Sequence, residues 1–331
     1  MRDLTVGVDV GGTKVAGGLL TPKGHLIKSI VAPVRALEGV KTSFAQVRRV
    51  IERLIAQAGG KSNVRGIGLC SPGALDHRTG LVINAPNLPG WEKLHLVNEL
   101  ERIFGLPARV ENDANAAGLA EALYGAGVGY REVFYVTVST GIGTGIIIDG
   151  KIYRGSQGVA GEGGHVSIDY KSPYRCTCGT LGCIEVLASG PAMARRARVR
   201  LEQEHAVPSL LRTMTKGKLR LITPEMIEQA AKAGDAIAKS VLDDTGFYLG
   251  VWLGSMISLL DPGAIVIGGG VARIGKPLFA KVRKTIVHYT LNPKIAEKIP
   301  VLPAKLQQDV GIYGAASLFR RHGEETGGSL D

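Results

Sequence analysis

The chain has 331 residues, 45% of them hydrophobic, which is more apolar material than one compact core usually takes and predicts two globular domains. The formal net charge is +11, but no helix-turn-helix or RNA-recognition pattern accompanies the basic residues between 195 and 220, so we expect a solvated basic face and no nucleic-acid partner. The longest apolar run, 246–260, is too short for a bilayer and contains three glycines, which predicts a buried helix in a cytoplasmic protein with no membrane partner.

One pattern occurs twice: an apolar strand, a turn rich in glycine and threonine, and a second apolar strand. The first copy covers 6–20 with Gly11-Gly12-Thr13 at its turn, and the second covers 134–148 with Thr140-Gly141. The repetition predicts a duplicated fold of the α/β class. In the first turn, paired glycines would let backbone amides approach phosphate oxygens, and Asp9 could hold Mg²⁺ directly or through water. A Gly-Gly turn alone is about as often only a hairpin, so that alternative stays open here.

Further elements are predicted from hydrophobic periodicity. Helical patterns occur at 44–55, from 193 onwards, from 224 to 260 and from 311 to 321, and buried strands occur at 66–69 and 264–267. The last residues are predicted to be disordered. Cys70, at the end of the strand that begins at 66, is interpreted as a packing residue.

A helix of small residues is predicted to begin at Glu111-Asn112-Asp113 and to end before Gly125. One interpretation is that Asp113 only caps this helix, a common use of Asp. The other is catalytic, because the helix dipole would keep the carboxylate ionised, and an ionised carboxylate can accept a hydroxyl proton in phosphoryl transfer. This segment alone supports both interpretations about equally.

Three of the four cysteines fall between 176 and 183, with His165 upstream. Thiols so close together in a reduced compartment are more often metal ligands than disulfide partners. Cys176, Cys178, Cys183 and His165 would complete a closed tetrahedral zinc site, and a closed site is structural. Glycines at 179 and 182 suit a turn that wraps a metal, which disfavours the alternative of three unrelated buried thiols.

Five motifs together resemble the repressor/ORF/kinase (ROK) family of sugar kinases and sugar-sensing repressors. They lie at 9–14, 111–115, 140–143, 162–165 and 176–185. Each is weak or moderate alone, but their order and spacing are highly specific and extend over nearly the whole chain. The resemblance implies an actin-like, hexokinase-type fold of duplicated ribonuclease-H-like domains with a cleft between them.

The expected division is a small N-terminal α/β domain of residues 1–112, joined by the C-terminal helix at about 311–321, and a large C-terminal α/β domain of residues 113–310 with the zinc-binding loop. Family members are commonly dimers or tetramers. A homodimer or homotetramer is therefore expected.

The same resemblance implies roles for individual residues. Asp113 would be the catalytic base. The sugar would be bound by Asn87, Asn112, Asp113, Gly141, Glu162, His165 and Glu185. Mg-ATP would be bound by Asp9, Gly11, Gly12, Thr13, Lys14, Thr140, Gly141, Gly268, Gly269 and Gly270. His165 would ligate zinc through one ring nitrogen and meet the sugar through the other, which couples the metal to substrate geometry.

The predicted function is ATP-dependent phosphorylation of a hexose at the 6-hydroxyl. Glucose ranks first because the segment 87–91 is more similar to glucokinases of the family than to its N-acetylmannosamine kinases. Mannose, N-acetylmannosamine, N-acetylglucosamine and fructose remain alternatives.

Two competing classes are disfavoured. A sugar-responsive repressor is disfavoured because the first strand begins near Leu4 and leaves no room for an N-terminal DNA-binding domain. A non-catalytic sugar-binding protein is disfavoured by Asp113 and by the phosphate turn.

Overall fold

The computed structural model describes residues 3–320 of the chain. Within them, the strands are β1 (Leu4–Val10), β2 (Lys14–Leu20), β3 (Leu26–Pro33), β4 (Val64–Ser71), β5 (Ala74–Asp76), β6 (Leu81–Asn84), β7 (Ala108–Asn112), β8 (Glu132–Val138), β9 (Ile142–Ile148), β10 (Lys151–Ile152), β11 (Ala264–Gly268) and β12 (Val301–Pro303). The α-helices are α1 (Val40–Gln57), α2 (Leu96–Phe104), α3 (Asp113–Tyr124), α4 (Ile184–Ala188), α5 (Gly190–Gln203), α6 (Leu210–Met214), α7 (Pro224–Lys232), α8 (Ala236–Leu260), α9 (Lys276–Ile286), α10 (Pro293–Ala296) and α11 (Val310–Ser317). The predicted α/β class is confirmed.

Two five-stranded sheets carry the predicted duplication. The first has the strand order β3-β2-β1-β4-β7, in which β1 is antiparallel to β2 and parallel to β4. The second has the order β10-β9-β8-β11-β12, in which β8 is parallel to β11 and β9 is antiparallel to β10. Each sheet begins with three consecutive strands and is extended by parallel strands that return after helices. The duplication that the sequence predicts is therefore confirmed.

The chain divides into two compact units. Unit 1 contains the described residues within Met1–Arg131, Gly145–Ala160 and Ala304–Asp331, and unit 2 contains Glu132–Thr144 and Gly161–Pro303. This division differs from the expected boundary at residue 112 because α3 lies directly against α11 and belongs with it to unit 1. Residue 321, the expected end of the last helix, and the tail that was expected to be disordered lie outside the described residues.

The helix α11 lies on the first sheet at two strand glycines. A Cβ at Gly7 of β1 would collide with the carbonyl oxygen of Ile312, and a Cβ at Gly68 of β4 would collide with that of Ala315. Any side chain at either position would hold the helix off the sheet. Glycine at these positions therefore allows a helix from the far end of the chain to cover this face.

The predicted helices are present, with one interruption. The amphipathic pattern at 44–55 is part of α1, whose Val47, Ile51 and Leu54 are fully buried. The pattern from 224 to 260 is two helices, α7 and α8, because the chain breaks at Gly234, whose φ is 100°. The apolar run 246–260 lies in α8 and is largely buried, as predicted. No helix of the described residues has the length and apolar character needed to cross a membrane.

Candidate functional site

In unit 1, the first glycine-rich turn lies beside the predicted sugar residue Asn87. The backbone N–H of Gly11 donates to the carbonyl oxygen of Lys14 at 2.9 Å, which closes the hairpin between β1 and β2. A Cβ at Gly12 would lie 3.0 Å from Asn87 Cβ and 3.1 Å from the Asn87 carbonyl oxygen. Thr13 and Lys14 are exposed. Unit 1 therefore brings the predicted phosphate turn and Asn87 together.

Asn87 lies in a loop that is anchored by two buried residues. Leu88 and Trp91 are fully buried, and Trp91 Nε1 donates to Ser43 Oγ at 2.8 Å. These anchors fix the loop on the core of unit 1. The Asn87 side chain is left at the surface, where a ligand can reach it.

Asp9, the predicted magnesium residue, is held on two sides. Its carboxylate lies against Gly311 in the first turn of α11, and Cys70 Sγ lies 3.5 Å from Asp9 Oδ1. Burial raises the pKa of Asp9, while the hydrogen bond from Cys70 and the charge of Lys14 act in the opposite direction. Burial and the nearby Asp9 charge raise the pKa of the Cys70 thiol well above its usual range, so the thiol stays protonated and can donate. Cys70 is buried as predicted, and it also fixes Asp9.

The start of α3 separates the two interpretations of Asp113. The helix cap is Asn112, whose Oδ1 accepts from the backbone N–H groups of Ala114 at 2.9 Å and Asn115 at 3.2 Å. Asn112 Nδ2 donates to the carbonyl oxygen of Gly73 at 3.2 Å. Asp113 is the first residue of the helix, and its Oδ1 accepts from Ala114 N at 2.8 Å. The capping position is thus filled by Asn112, and Asp113 is the next residue, inside the helix.

The residue before the helix cap, Glu111, forms an ion pair. Glu111, with a side chain only 3% exposed, is paired with Arg154, whose Nε and Nη2 lie 2.7 Å and 2.6 Å from Glu111 Oε2. The second carboxylate oxygen, Oε1, accepts from Asn112 N at 2.9 Å and from Asn115 Nδ2 at 3.2 Å. Sequence reasoning missed Arg154, because the residue lies 43 positions from Glu111 in a loop after β10.

In unit 2, Glu185 is tied to the second glycine-rich turn. The N–H of Ser139 donates to the carbonyl oxygen of Gly141 at 2.8 Å, and Ile142 N, next in the chain, donates to Glu185 Oε2 at 2.9 Å. The other oxygen, Oε1, lies 3.5 Å from Cys176 Sγ. Unit 2 thus brings Glu185, Gly141 and the cysteine cluster together.

The turn at 162–165 is fixed by Thr144. Thr144 Oγ1 accepts from Gly163 N at 3.0 Å and donates to the carbonyl oxygen of Gly161. Glu162 is exposed, and its Oε2 lies 3.9 Å from His165 Nε2. Glu162 and His165 are therefore neighbours, as their spacing predicts.

The three glycines after β11 lie against the second turn. Gly268 pairs with Thr137 of β8. Gly269 has a φ of 86°, and a Cβ there would collide with the carbonyl oxygen of Val138. A Cβ at Gly270 would lie 3.9 Å from Ser139 Oγ. The predicted ATP-binding glycines 268–270 and the second glycine-rich turn are thus adjacent within unit 2.

The predicted zinc ligands form one cluster. One ligand atom each from His165, Cys176, Cys178 and Cys183 lies within 4.8 Å of all the others. The Cys178 and Cys183 sulfurs are 3.7 Å apart, and Cys176 Sγ is 3.5 Å from His165 Nδ1. Zinc bonds of about 2.3 Å to sulfur and about 2.0 Å to nitrogen at tetrahedral angles require ~3.8 Å between sulfurs and ~3.5 Å between sulfur and nitrogen. The donor set fits zinc, with Nδ1 as the His165 ligand and Nε2 turned toward Glu162.

Comparison with known proteins identifies the family of the chain. The sequence profile of the ROK family matches residues 5–322. The chain belongs to the ROK family. A glucokinase of Halalkalibacterium halodurans is 35% identical over 319 residues, which cover 96% of this chain and 94% of that relative.

Two solved ROK structures are similar along nearly the whole chain. The ROK hexokinase of Thermus thermophilus has a TM-score of 0.80 at 34% identity and covers 95% of this chain and 96% of its own. A ROK family glucokinase of Streptomyces griseus, solved in complex with glucose and AMPPNP, has a TM-score of 0.78 at 33% identity and covers 95% and 98%. The expected actin-like, hexokinase-type fold is thereby confirmed.

The predicted site residues of this ROK protein are divided between its units. Unit 1 carries Asp9, Gly11, Gly12, Thr13, Lys14, Asn87, Asn112 and Asp113. Unit 2 carries Thr140, Gly141, Glu162, His165, Cys176, Cys178, Cys183, Glu185, Gly268, Gly269 and Gly270. Each unit therefore supplies one glycine-rich turn and at least one carboxylate.

The basic segment of this ROK chain differs from the expectation of a solvated face. Arg195 donates to the Val186 carbonyl oxygen and lies over the Tyr174 ring, 3.9 Å from its centroid. Arg196 donates to the Leu187 carbonyl oxygen, so two arginines of α5 cap the carboxyl end of α4, which carries Glu185. Their charge satisfies carbonyl groups at the negative end of that helix. This part of the basic run is structural.

Proposed function

We propose that this ROK protein is an ATP-dependent glucokinase, which transfers the γ-phosphoryl group of ATP to the 6-hydroxyl of glucose. The proposal is carried by the match of 95–96% of the chain to hexokinase and glucokinase relatives, one of which was solved with glucose and AMPPNP. The carboxylates and glycine-rich turns described above supply the groups that such a reaction requires. The product would be glucose 6-phosphate, which is the first intermediate of glycolysis.

In this proposal, Asp113 is the catalytic base. Because Asn112 already caps α3, the Asp113 carboxylate is not required for capping. Its place in the first turn puts it near the positive end of the helix dipole, which favours the ionised form that can accept a proton. It would take the proton of the 6-hydroxyl as that oxygen attacks phosphorus.

Asn87, Asn112, Gly141, Glu162, His165 and Glu185 would bind the sugar. Glu185 is held on both oxygens, since one accepts from Ile142 N and the other lies beside Cys176. Asn112 Oδ1 is occupied by the helix cap, so its contribution to the sugar would come from Nδ2. Hydroxyl groups would therefore meet side chains whose positions are already fixed, which favours discrimination by stereochemistry.

ATP would be held by backbone amides of the two glycine-rich turns, with help from Thr13, Lys14 and Thr140, and the adenosine by the segment 268–270. Asp9 would hold Mg²⁺, which neutralises charge on the β- and γ-phosphates when it is bound with ATP. Positioning contributes most in such a reaction, because the loose transition state leaves little covalent chemistry to the protein.

The zinc proposed for His165, Cys176, Cys178 and Cys183 has a structural role. The four residues provide a closed donor set of the right spacing, so no coordination position remains for a substrate. Ligation through Nδ1 would leave His165 Nε2 for the sugar and fix the loop next to Glu185. We also propose that the protein is a homodimer or homotetramer, which light scattering on a sizing column would measure.

The test is ADP formation by the purified chain with glucose, mannose, glucosamine, N-acetylmannosamine, N-acetylglucosamine or fructose as acceptor. We expect the highest kcat/KM with glucose and weaker activity with mannose or glucosamine. Preference for N-acetylmannosamine or fructose would exclude glucokinase and leave a kinase for another hexose. Sugar binding without ADP formation would exclude a kinase and support the sugar-sensing alternative.

A variant tests the base. Asp113→Ala should lower kcat by ~10²–10⁴ with an unchanged thermal midpoint, because a general base typically contributes that much. Asp243→Asn removes an exposed carboxylate on α8 and serves as the matched control with wild-type kcat. A near-normal kcat in Asp113→Ala would exclude this residue as the base.

A further inference from the structure

We infer that Arg154 is a positioning residue of the reaction: by clamping Glu111 it fixes the strand-to-helix junction that presents Asp113. The inference rests on the proposed role of Asp113 as base. It concerns contacts within unit 1 alone.

Both carboxylate oxygens of Glu111 accept hydrogen bonds. Arg154 reaches Oε2 through Nε and Nη2, and Oε1 accepts from the backbone N–H of Asn112 and from the side chain of Asn115. The Glu111 side chain is 3% exposed, so its hydrogen-bond partners in the folded protein come from the protein itself. The direction of Glu111 is thus set by Arg154, and Glu111 in turn orients the residues on both sides of Asp113.

Those neighbours define where Asp113 lies. Asn112 precedes it, receives the Glu111 bond on its backbone, and caps α3 with its side chain. Asn115 follows two residues later and donates to the same Glu111 oxygen. Because Asp113 lies between two residues anchored on one carboxylate, a rotation of Glu111 would move the Asp113 backbone with them.

Arg154 is itself firmly placed. It follows β10, Tyr153 N donates to the Ile146 carbonyl oxygen at 2.8 Å, and the Arg154 carbonyl oxygen accepts from Ala160 N at 3.1 Å. Its side chain is 29% exposed. A planar guanidinium presents two donors to one carboxylate in a fixed geometry, whereas a lysine ammonium acts as a point charge. A lysine at this position would therefore supply the charge without fixing the orientation of Glu111.

The experiment compares wild type with Arg154→Gln, Arg154→Lys, Glu111→Gln and the double variant Arg154→Gln/Glu111→Gln. Arg154→Gln should lower kcat by ~10²-fold, since misplacement by about 1 Å can cost that much, while KM for ATP stays within about twofold. Its thermal midpoint should fall, because an unpaired carboxylate remains buried. Arg154→Lys should keep the thermal midpoint near wild type and still lose kcat.

The double variant separates positioning from stability. With Glu111→Gln added, no unpaired charge is buried, so the thermal midpoint should recover while kcat stays low. Arg131→Gln is the control, since it breaks an Arg–Asp pair whose side chains are 71% and 49% exposed and should change neither quantity.

The outcomes are distinct. Wild type without hexose-dependent ADP formation would overturn the proposed function and this inference with it. Active wild type with kcat of Arg154→Gln within threefold would overturn the inference alone. Recovery of kcat together with the thermal midpoint in the double variant would also overturn it, because the pair would then serve stability only.

Discussion

Replacing Glu185 with Gln tests the proposed sugar site at a side chain whose two oxygens are both held. Ile142 N needs an acceptor, and in the wild type that acceptor is Glu185 Oε2 at 2.9 Å. In Glu185→Gln the amide oxygen should take this position, which puts the NH₂ group where Oε1 now lies, 3.5 Å from Cys176 Sγ. A donor would then stand where, in the proposed function, the wild type offers a carboxylate oxygen to a sugar hydroxyl.

The size of the effect follows from the bond that is lost. A hydrogen bond to a charged group is worth about 1.5–3 kcal/mol, and about 1.4 kcal/mol corresponds to a factor of ten. We therefore expect kcat/KM for glucose to fall by about 10- to 100-fold, mainly through KM. KM for ATP and the thermal midpoint should stay near wild type, because the bond to Ile142 N is kept.

Steady-state kinetics with each substrate varied in turn, together with zinc analysis of the same preparation, measure this. Glu202→Gln, at an exposed position of α5, is the matched control and should behave as wild type. A selective loss of ATP affinity, or an unchanged KM for glucose with zinc retained, would refute the assignment of Glu185 to the sugar.

Three further outcomes are expected. Metal analysis of protein purified without added metal should find one zinc per chain, and Cys178→Ser should lose it with a lower thermal midpoint; active enzyme without zinc would contradict the site. Asp9→Asn should stabilise the protein at neutral pH while lowering activity, because burial raises the pKa of Asp9 and its ionisation opposes folding. That stability difference should shrink as the pH falls from the raised pKa of Asp9 toward about 4 and should be absent below it, because both the folded and the unfolded chain are then protonated; urea unfolding at several pH values would reveal a contrary trend. Gly68→Ala should be strongly destabilising because its Cβ would collide with the Ala315 carbonyl oxygen, and a wild-type thermal midpoint would show that α11 can shift at no cost.

Several features of the site could be predicted because they depend only on residues that are close together in the sequence. The turn at Gly11-Gly12-Thr13 and the cysteines at 176–183 have spacings that by themselves restrict the backbone, so local chemistry was enough to predict them. The strand repeat likewise predicted two matching sheets, since hydrophobic periodicity depends on neighbours in sequence.

Other features depend on residues that are distant in the chain. Glu111 and Arg154 are 43 positions apart, and no periodicity links them. The capping role of Asn112 could not be separated from Asp113 by sequence, because either residue is an acceptable cap and only the backbone geometry decides which one fills the position. From sequence alone, the arginines of α5 are interpreted as a solvated basic face. A run of charged residues does not reveal that the carboxyl end of α4 lies close to it in the folded protein.

By itself, the sequence determined the duplicated α/β plan, the glycine-rich turns and the close spacing of the three cysteines that we propose as zinc ligands, because each depends on the conformations and donor atoms of a few adjacent residues. The tertiary structure alone decided that α3 joins unit 1 with α11, that Cys70 holds Asp9, and that Arg154 clamps Glu111. The physical reason is that these contacts form only when distant segments are packed together, where burial gives a carbonyl, a thiol or a guanidinium a partner that its own segment does not contain.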